Sequence, residues 1–347
     1  MPLTGPTLIR KYSGVFLIAL LGLLSMLAAV CARGQERNAE RELVARSGRF
    51  LPDVGPGLRS VKRDGAGRYY VLASPANTVF VFGADGKRAG QIPNANSKDT
   101  KIVYAVDLDV DPDGRIFVAD RGANTVKIFA PDGSLISSVR VAAPTSLACL
   151  SGGDFAVSVL RSERLLTILN ENGSTIRSFG DAADASITTG SAPLMDRGRV
   201  FGDSAGRLYF AFAALSNPTF RIYDRFGFAS ADVSLPATQF VSSLERKRVD
   251  VFGIPRREKT AQSPFFNAIA VDPDDQDIWG AVGNTLLRFA KDGTPIASYP
   301  TYTAEGAAVE PVAILVEAKR ILLGSDPLGV FDFARPDKPA DSAAATK

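Results

Sequence analysis

Past residue 50 the apolar positions fall in short runs rich in Val, Ile, Leu and Phe, divided by turns of Asp, Gly, Pro and Asn. Residues 106–110, 116–120, 125–129 and 135–141 are such runs, partly alternating with polar positions. Between them stand Pro112-Asp113-Gly114, Gly122-Ala123-Asn124 and Asp132-Gly133. Short β-branched runs bounded by turn residues predict an antiparallel meander. No apolar pattern of helical period persists in this part of the chain.

The pattern repeats. Ala76-Asn77-Thr78-Val79 returns as Ala123-Asn124-Thr125-Val126, an offset of 47 residues. Phe82 and Phe129 lie five residues past each Asn, and Asp85-Gly86 and Asp132-Gly133 eight past it. Asn284, Phe289 and Asp292-Gly293 keep the same internal spacing. Asn172-Gly173 and Phe226-Gly227 mark the same turn in two further units. An earlier turn in each unit combines Asp, Gly and a basic residue, as in Asp64-Gly65-Ala66-Gly67-Arg68 and Asp111-Pro112-Asp113-Gly114-Arg115, with a weaker form at Asp203–Arg207. A period of roughly 40–50 residues built from strands predicts a propeller rather than a sandwich.

The predicted fold is all-β: a six-bladed β-propeller of four-stranded antiparallel blades over residues 42–335, with five full units and a truncated sixth. The sixth lacks a fourth strand before Pro336, and a strand within 42–51 is expected to supply it, closing the ring and covering an edge. Residues 33–41 read as a linker and 336–347 as a disordered tail. The run Val110–Val126, with Asp111-Pro112-Asp113-Gly114-Arg115 at its head, resembles an NHL repeat. That resemblance implies the propeller fold and carries little about function, because such scaffolds host unrelated activities.

The N-terminus bears on compartment. Arg10 and Lys11 precede Gly14–Ala32, an uncharged apolar stretch ending in Val30-Cys31-Ala32. This reads as a signal peptide or an uncleaved membrane anchor within residues 1–32. Val30 disfavours a lipoprotein reading of Cys31, since a small residue is wanted there. Either reading places the propeller outside the cytoplasm, with membrane association only through residues 14–32.

The chain has no histidine and two cysteines. Ser-His-Asp and Cys-His sites are excluded, as are histidine-built zinc sites. A divalent cation such as calcium is the only cofactor with a motif, Asp109, Asp111, Asp113, Gly114, Ile116 and Asp120. Strands flank that motif instead of helices, so the preferred reading is a plain turn. Asp272, Asp274, Asp275 and Asp277 read the same way. Asn267 and Asp107 fall near the starts of innermost strands but do not complete a Glu/Asn/Asp metal set. A net charge of +3 argues against a nucleic-acid partner.

The Asp-Gly turns share one end of the blades. The variable segments 93–104, 180–196, 236–265 and 300–310 share the other, where binding residues usually reside. The candidate partner-binding residues on that rim are Arg121, Arg161, Arg164, Arg246, Lys247, Arg248, Arg256 and Arg257. The expected role is a non-catalytic scaffold for a protein or glycan. The alternative is a metal-dependent, lactonase-like hydrolase or lyase acting at the central channel.

Overall fold

The computed structural model describes residues 42–51, 54–73, 77–93, 100–160, 162–181, 198–213, 215, 217–240 and 265–338. Six antiparallel sheets form six blades. The innermost strands are Leu58–Arg63, Ala105–Val110, Pro144–Cys149, Gly198–Gly202, Ala268–Val271 and Pro311–Glu317. Each touches the innermost strand of the next blade, and the last touches the first, so the ring is closed around a central axis. Each blade then runs outward through consecutive antiparallel strands; blade 2 pairs Leu108 with Val118 and Val118 with Lys127.

Residues 42–51 tie two blades together. Arg49–Leu51 adds antiparallel to Gly329–Ala334 as the outermost strand of blade 6, pairing Leu51 with Val330. Leu43–Val44 pairs in parallel with Thr301 and Tyr302 and gives blade 5 a fifth strand. The chain beyond the sixth blade is held at its start: Arg335 pairs with Asp272 at 2.5 Å and Lys338 with Asp277 at 3.2 Å. The stretch 14–32 lies outside the described residues, among which no helix is long and apolar enough to cross a membrane.

The core is not one mass but six seams, one between each pair of neighbouring blades. The strand Leu208–Phe212 shows why its sequence is continuously apolar. Leu208, Phe210 and Phe212 face blade 3, whereas Tyr209 and Ala211 face blade 5. Ile116–Asp120 divides in the same way, with Ile116 and Val118 toward blade 1 and Phe117 and Ala119 toward blade 3. Side chains alternate across a strand, so a sheet covered on both faces needs apolar residues at successive positions.

The turn motif has a common chemistry. Asp64, Asp111 and Asp203 each accept the amide of the Arg four residues on and the Nε of the same Arg, at 2.7–2.9 Å. Gly114, with φ of 80°, takes the left-handed position of this turn that a side chain would strain.

Candidate functional site

Inward-facing residues of the innermost strands are spaced two apart, so they stack in layers along the axis. Ser60, Asp107 and Ser146 form one layer. Ser60 Oγ donates to Asp107 Oδ1 and Ser146 Oγ to Asp107 Oδ2, both at 2.5 Å. Arg199 crosses the axis to join them. Its Nη1 donates to the carbonyls of Asn267 at 2.9 Å and Val312 at 3.1 Å. Its Nη2 donates to the Arg59 carbonyl at 3.3 Å and pairs with Asp107 Oδ1 at 3.2 Å. Ser146 also accepts the Val200 amide, so this one cluster links all six blades.

Burial pushes the Asp107 carboxyl up, but Arg199 and the hydroxyls of Ser146 and Ser60 outweigh it and hold the group below the usual carboxylate value. It is an ionised partner of a guanidinium, not a protonated acid awaiting substrate. The next layer is Lys62 and Asp109, paired at 2.9 Å, with the Cys149 amide donating to Asp109 Oδ2 at 2.8 Å. Burial pulls the Lys62 ammonium down, and Asp109 more than restores it. Burial also pushes the Cys149 thiol well up, reinforced by Asp109 and Asp111, which makes it a poor nucleophile.

Among the described residues, a recess opens at each end of the axis. One, of about 390 Å³, lies at the Asp-Gly turn end and includes Lys62, Asp109, Cys149 and Asp203 in its lining. The other, of about 420 Å³, lies at the variable-loop end, with Arg59, Tyr104, Arg121, Arg199, Phe265, Asn267 and Asp326 among its walls. Asp326 Oδ1 accepts the Gly57 amide at 2.6 Å. Among the described residues, arginines therefore dominate the charge of the loop-side recess.

Of the residues expected to bind, Arg121 reaches this recess while its Nε donates to the Pro144 carbonyl at 3.1 Å, fastening blade 2 to blade 3. Arg164 begins the third strand of blade 3, exposed and in register with Asp181, away from the recess lining. Arg161, Arg246, Lys247, Arg248, Arg256 and Arg257 lie outside the described residues. Phe265, at the end of the segment carrying the last five, does line the recess. Arg59, Tyr104 and Arg199 were not singled out by the sequence reading. The available signal was two charged or polar residues, Arg59 and Ser60, inside an innermost strand otherwise bounded by Leu58 and Val61.

The calcium-like motif separates into three unrelated roles. Asp109 pairs with Lys62, Asp111 with Arg115 at 2.7 Å, and Asp120 accepts the amides of Val103 and Tyr104 at 2.9 Å each. At the second acidic turn, Arg288 pairs with Asp275 at 2.6 Å and Asp277 at 2.8 Å. Among the described residues, no group of three Asp, Glu or Cys side chains is placed to hold a metal ion.

Comparison with known proteins agrees with the fold. The NHL repeat family matches residues 103–129, which hold Tyr104, Asp107, Asp120 and Arg121. No curated protein matches the sequence. A streptogramin B lyase structure is 15% identical, with 83% of this chain and 87% of that chain covered and a TM-score of 0.51. Hydrazine synthase of Kuenenia stuttgartiensis is 11% identical, with 82% and 97% covered and a TM-score of 0.51. The WD40 repeats of RRP9 are 8% identical, with 84% and 99% covered and a TM-score of 0.54. At these identities the likeness is one of fold alone. The chain carries an NHL repeat within a six-bladed β-propeller scaffold.

Proposed function

We propose that this protein is an exported, non-catalytic propeller that binds a protein or glycan partner through its variable-loop face. The observation that carries the reading is the state of the axial polar groups. Asp107, Ser60, Ser146 and Arg199 are spent on one another and on backbone carbonyls, so they hold the disc together and, among the described residues, leave no acid–base pair facing the loop-side recess. What faces outward instead is a concave, arginine-bearing surface with Tyr104 and Phe265 beside it. A rigid scaffold with its variable segments gathered on one face is suited to recognition.

Export rests on the basic flank and apolar stretch of residues 10–32. The lyase or hydrolase alternative finds support only in the fold shared with streptogramin B lyase, and the chain has no histidine. The test is affinity capture from an envelope fraction with the tagged full chain and with a variant in which residues 241–262 are replaced by a short Gly-Ser linker. The expected result is a saturable partner retained by the full chain and weakened by the variant. Turnover of lactone or ester substrates, without such a partner, would overturn the reading. Protease accessibility in intact cells checks the compartment separately.

A further inference from the structure

We propose that the loop-side recess is a carboxylate-binding site that takes an acidic side chain from a segment of a protein partner, with Arg59 as the recognising group. This deepens the binding reading above and rests on it.

Three observations converge on the recess. The first is charge. Among the described residues, Arg59, Arg121 and Arg199 line it against one carboxylate, Asp326, which already accepts the Gly57 amide. Arg199 is offset by Asp107 beneath it. Arg59 has no such offset: among the described residues no carboxylate forms an ion pair with its side chain, and its carbonyl is committed to Arg199. Arg59 therefore brings to the wall a positive charge that no described carboxylate pairs with. A guanidinium in a concave, partly dry site is where a carboxylate is bound best, since its planar fork matches the two oxygens.

The second observation is preorganisation. Asp120, fully buried, accepts the amides of Val103 and Tyr104 at 2.9 Å each and that of Ala123 at 3.2 Å. One carboxylate thus fixes both the loop that carries Tyr104 and the loop that carries Arg121. The two loops meet at Gly122, where a Cβ would stand 2.7 Å from Val103 Cγ1, so only glycine allows the contact without movement. Arg121 is further oriented by its bond to the Pro144 carbonyl. A rim fixed before its ligand arrives loses less freedom on binding.

The third observation is what surrounds the charge. Tyr104, in the recess wall, and its neighbour Val103 are 41% and 45% exposed, although Asp120 holds the amides of both. Phe265, Leu58 and Val312 add apolar wall. Exposed apolar side chains around an arginine suit an acidic residue flanked by apolar ones in a peptide, the usual make-up of a protein contact. A free phosphate would gather backbone amides, and the Gly57 amide here is already taken.

The probe is a fluorescein-labelled peptide of alternating Glu and Tyr, read by anisotropy against the purified full chain, with the Gln-Tyr counterpart as control. The Glu peptide should bind and the Gln peptide should not. Arg59→Gln and Arg59→Lys should each weaken binding by about tenfold, the effect of removing one charge-assisted contact. Arg59→Lys keeps the charge and loses the fork, so its effect separates geometry from charge. Arg140→Gln, an exposed change of the same charge on the outer strand of blade 2, should leave binding within about twofold. Equal binding of both peptides, equal loss in Arg140→Gln, or displacement by inorganic phosphate as readily as by excess Glu peptide would each overturn the proposal. A photo-crosslinking residue at Tyr104 distinguishes its failure from that of the parent reading. A cross-linked envelope protein whose yield Arg59→Gln does not change leaves a binding scaffold without this site. No cross-linked protein from this rim, together with no captured partner, removes both.

Discussion

Ser60 Oγ donates to Asp107 Oδ1 across 47 residues of sequence, the same distance that separates successive copies of the turn motif. Equivalent positions of neighbouring repeats therefore meet at the axis. One copy supplies a hydroxyl and the next a carboxylate, and blade 3 supplies the second hydroxyl through Ser146. The exact sequence repeat is broken where the copies touch, so that a donor from one blade meets an acceptor from the next. Arg199 completes the set from blade 4.

Removing Asp107 should therefore be costly. Asp107→Ala leaves the Arg199 guanidinium in the channel without its counter-charge, and breaking such a pair costs about 3–5 kcal/mol. Asp107→Asn, which keeps an acceptor, should cost less. Adding Arg199→Met to Asp107→Ala should recover part of the loss, since no charge is then stranded. Urea unfolding of the single and double variants checks this; additive losses would show that the two side chains are not coupled.

Acid should weaken the fold through the same group. Asp107 and Asp64 both have folded pKa values below the ordinary carboxylate value, in each case because their partners outweigh the effect of burial. Their stabilisation is complete above the unfolded pKa, about 4, and is lost as pH falls through the folded values. Asp154 and Asp272, pushed up chiefly by burial, act in the opposite sense and soften the loss. With no histidine to titrate, the melting temperature should be flat from about pH 5.5 to 8 and fall below about pH 4. Asp107→Asn should flatten the acid limb.

The extent to which these features could be read in advance follows from the range of the interactions. The Asp64–Arg68 and Asp111–Arg115 turns are local, four residues wide, and appear in the sequence as a repeated Asp, Gly and Arg. Fold and blade count followed from them. Arg199 carries no such mark: its acceptors are carbonyls 68, 113 and 140 residues away, and every residue has a carbonyl. Tyr104 is likewise silent, because what presents it is Asp120, 16 residues on, which in sequence looked like the end of a calcium loop. The parallel pairing of Leu43–Val44 spans only two residues, too short for any alternation to register.

The acidic turns should not respond to calcium. Asp111 Oδ1 accepts the Arg115 amide at 2.8 Å and Oδ2 the Arg115 side chain at 2.7 Å. A cation would have to displace an arginine that is itself tied to Glu171 at 3.0 Å. Calcium or EDTA should leave the melting temperature unchanged, whereas Asp111→Ala should cost about 1–3 kcal/mol by stranding those donors. A saturable rise with calcium would show by linkage that the native state binds it.

The closing strand offers the last test. Leu51 is fully buried in the seam between blades 6 and 1, packed with Val54, Leu58 and Val330, and its strand covers the outer edge of blade 6. Its two contributions can be separated. Leu51→Ala removes side-chain packing but keeps the strand, and should cost about 2–5 kcal/mol while leaving a monodisperse protein. Deleting residues 42–51 removes the packing and also bares the backbone of Gly329–Ala334 and of the outer strand of blade 5. Unpaired edges recruit other chains, so this variant should form oligomers in proportion to its concentration even below its melting temperature. Light scattering on the two variants checks the distinction. If the deletion stayed monomeric and melted like Leu51→Ala, residues 42–51 would act through packing alone, and the ring would not depend on pairing at that edge.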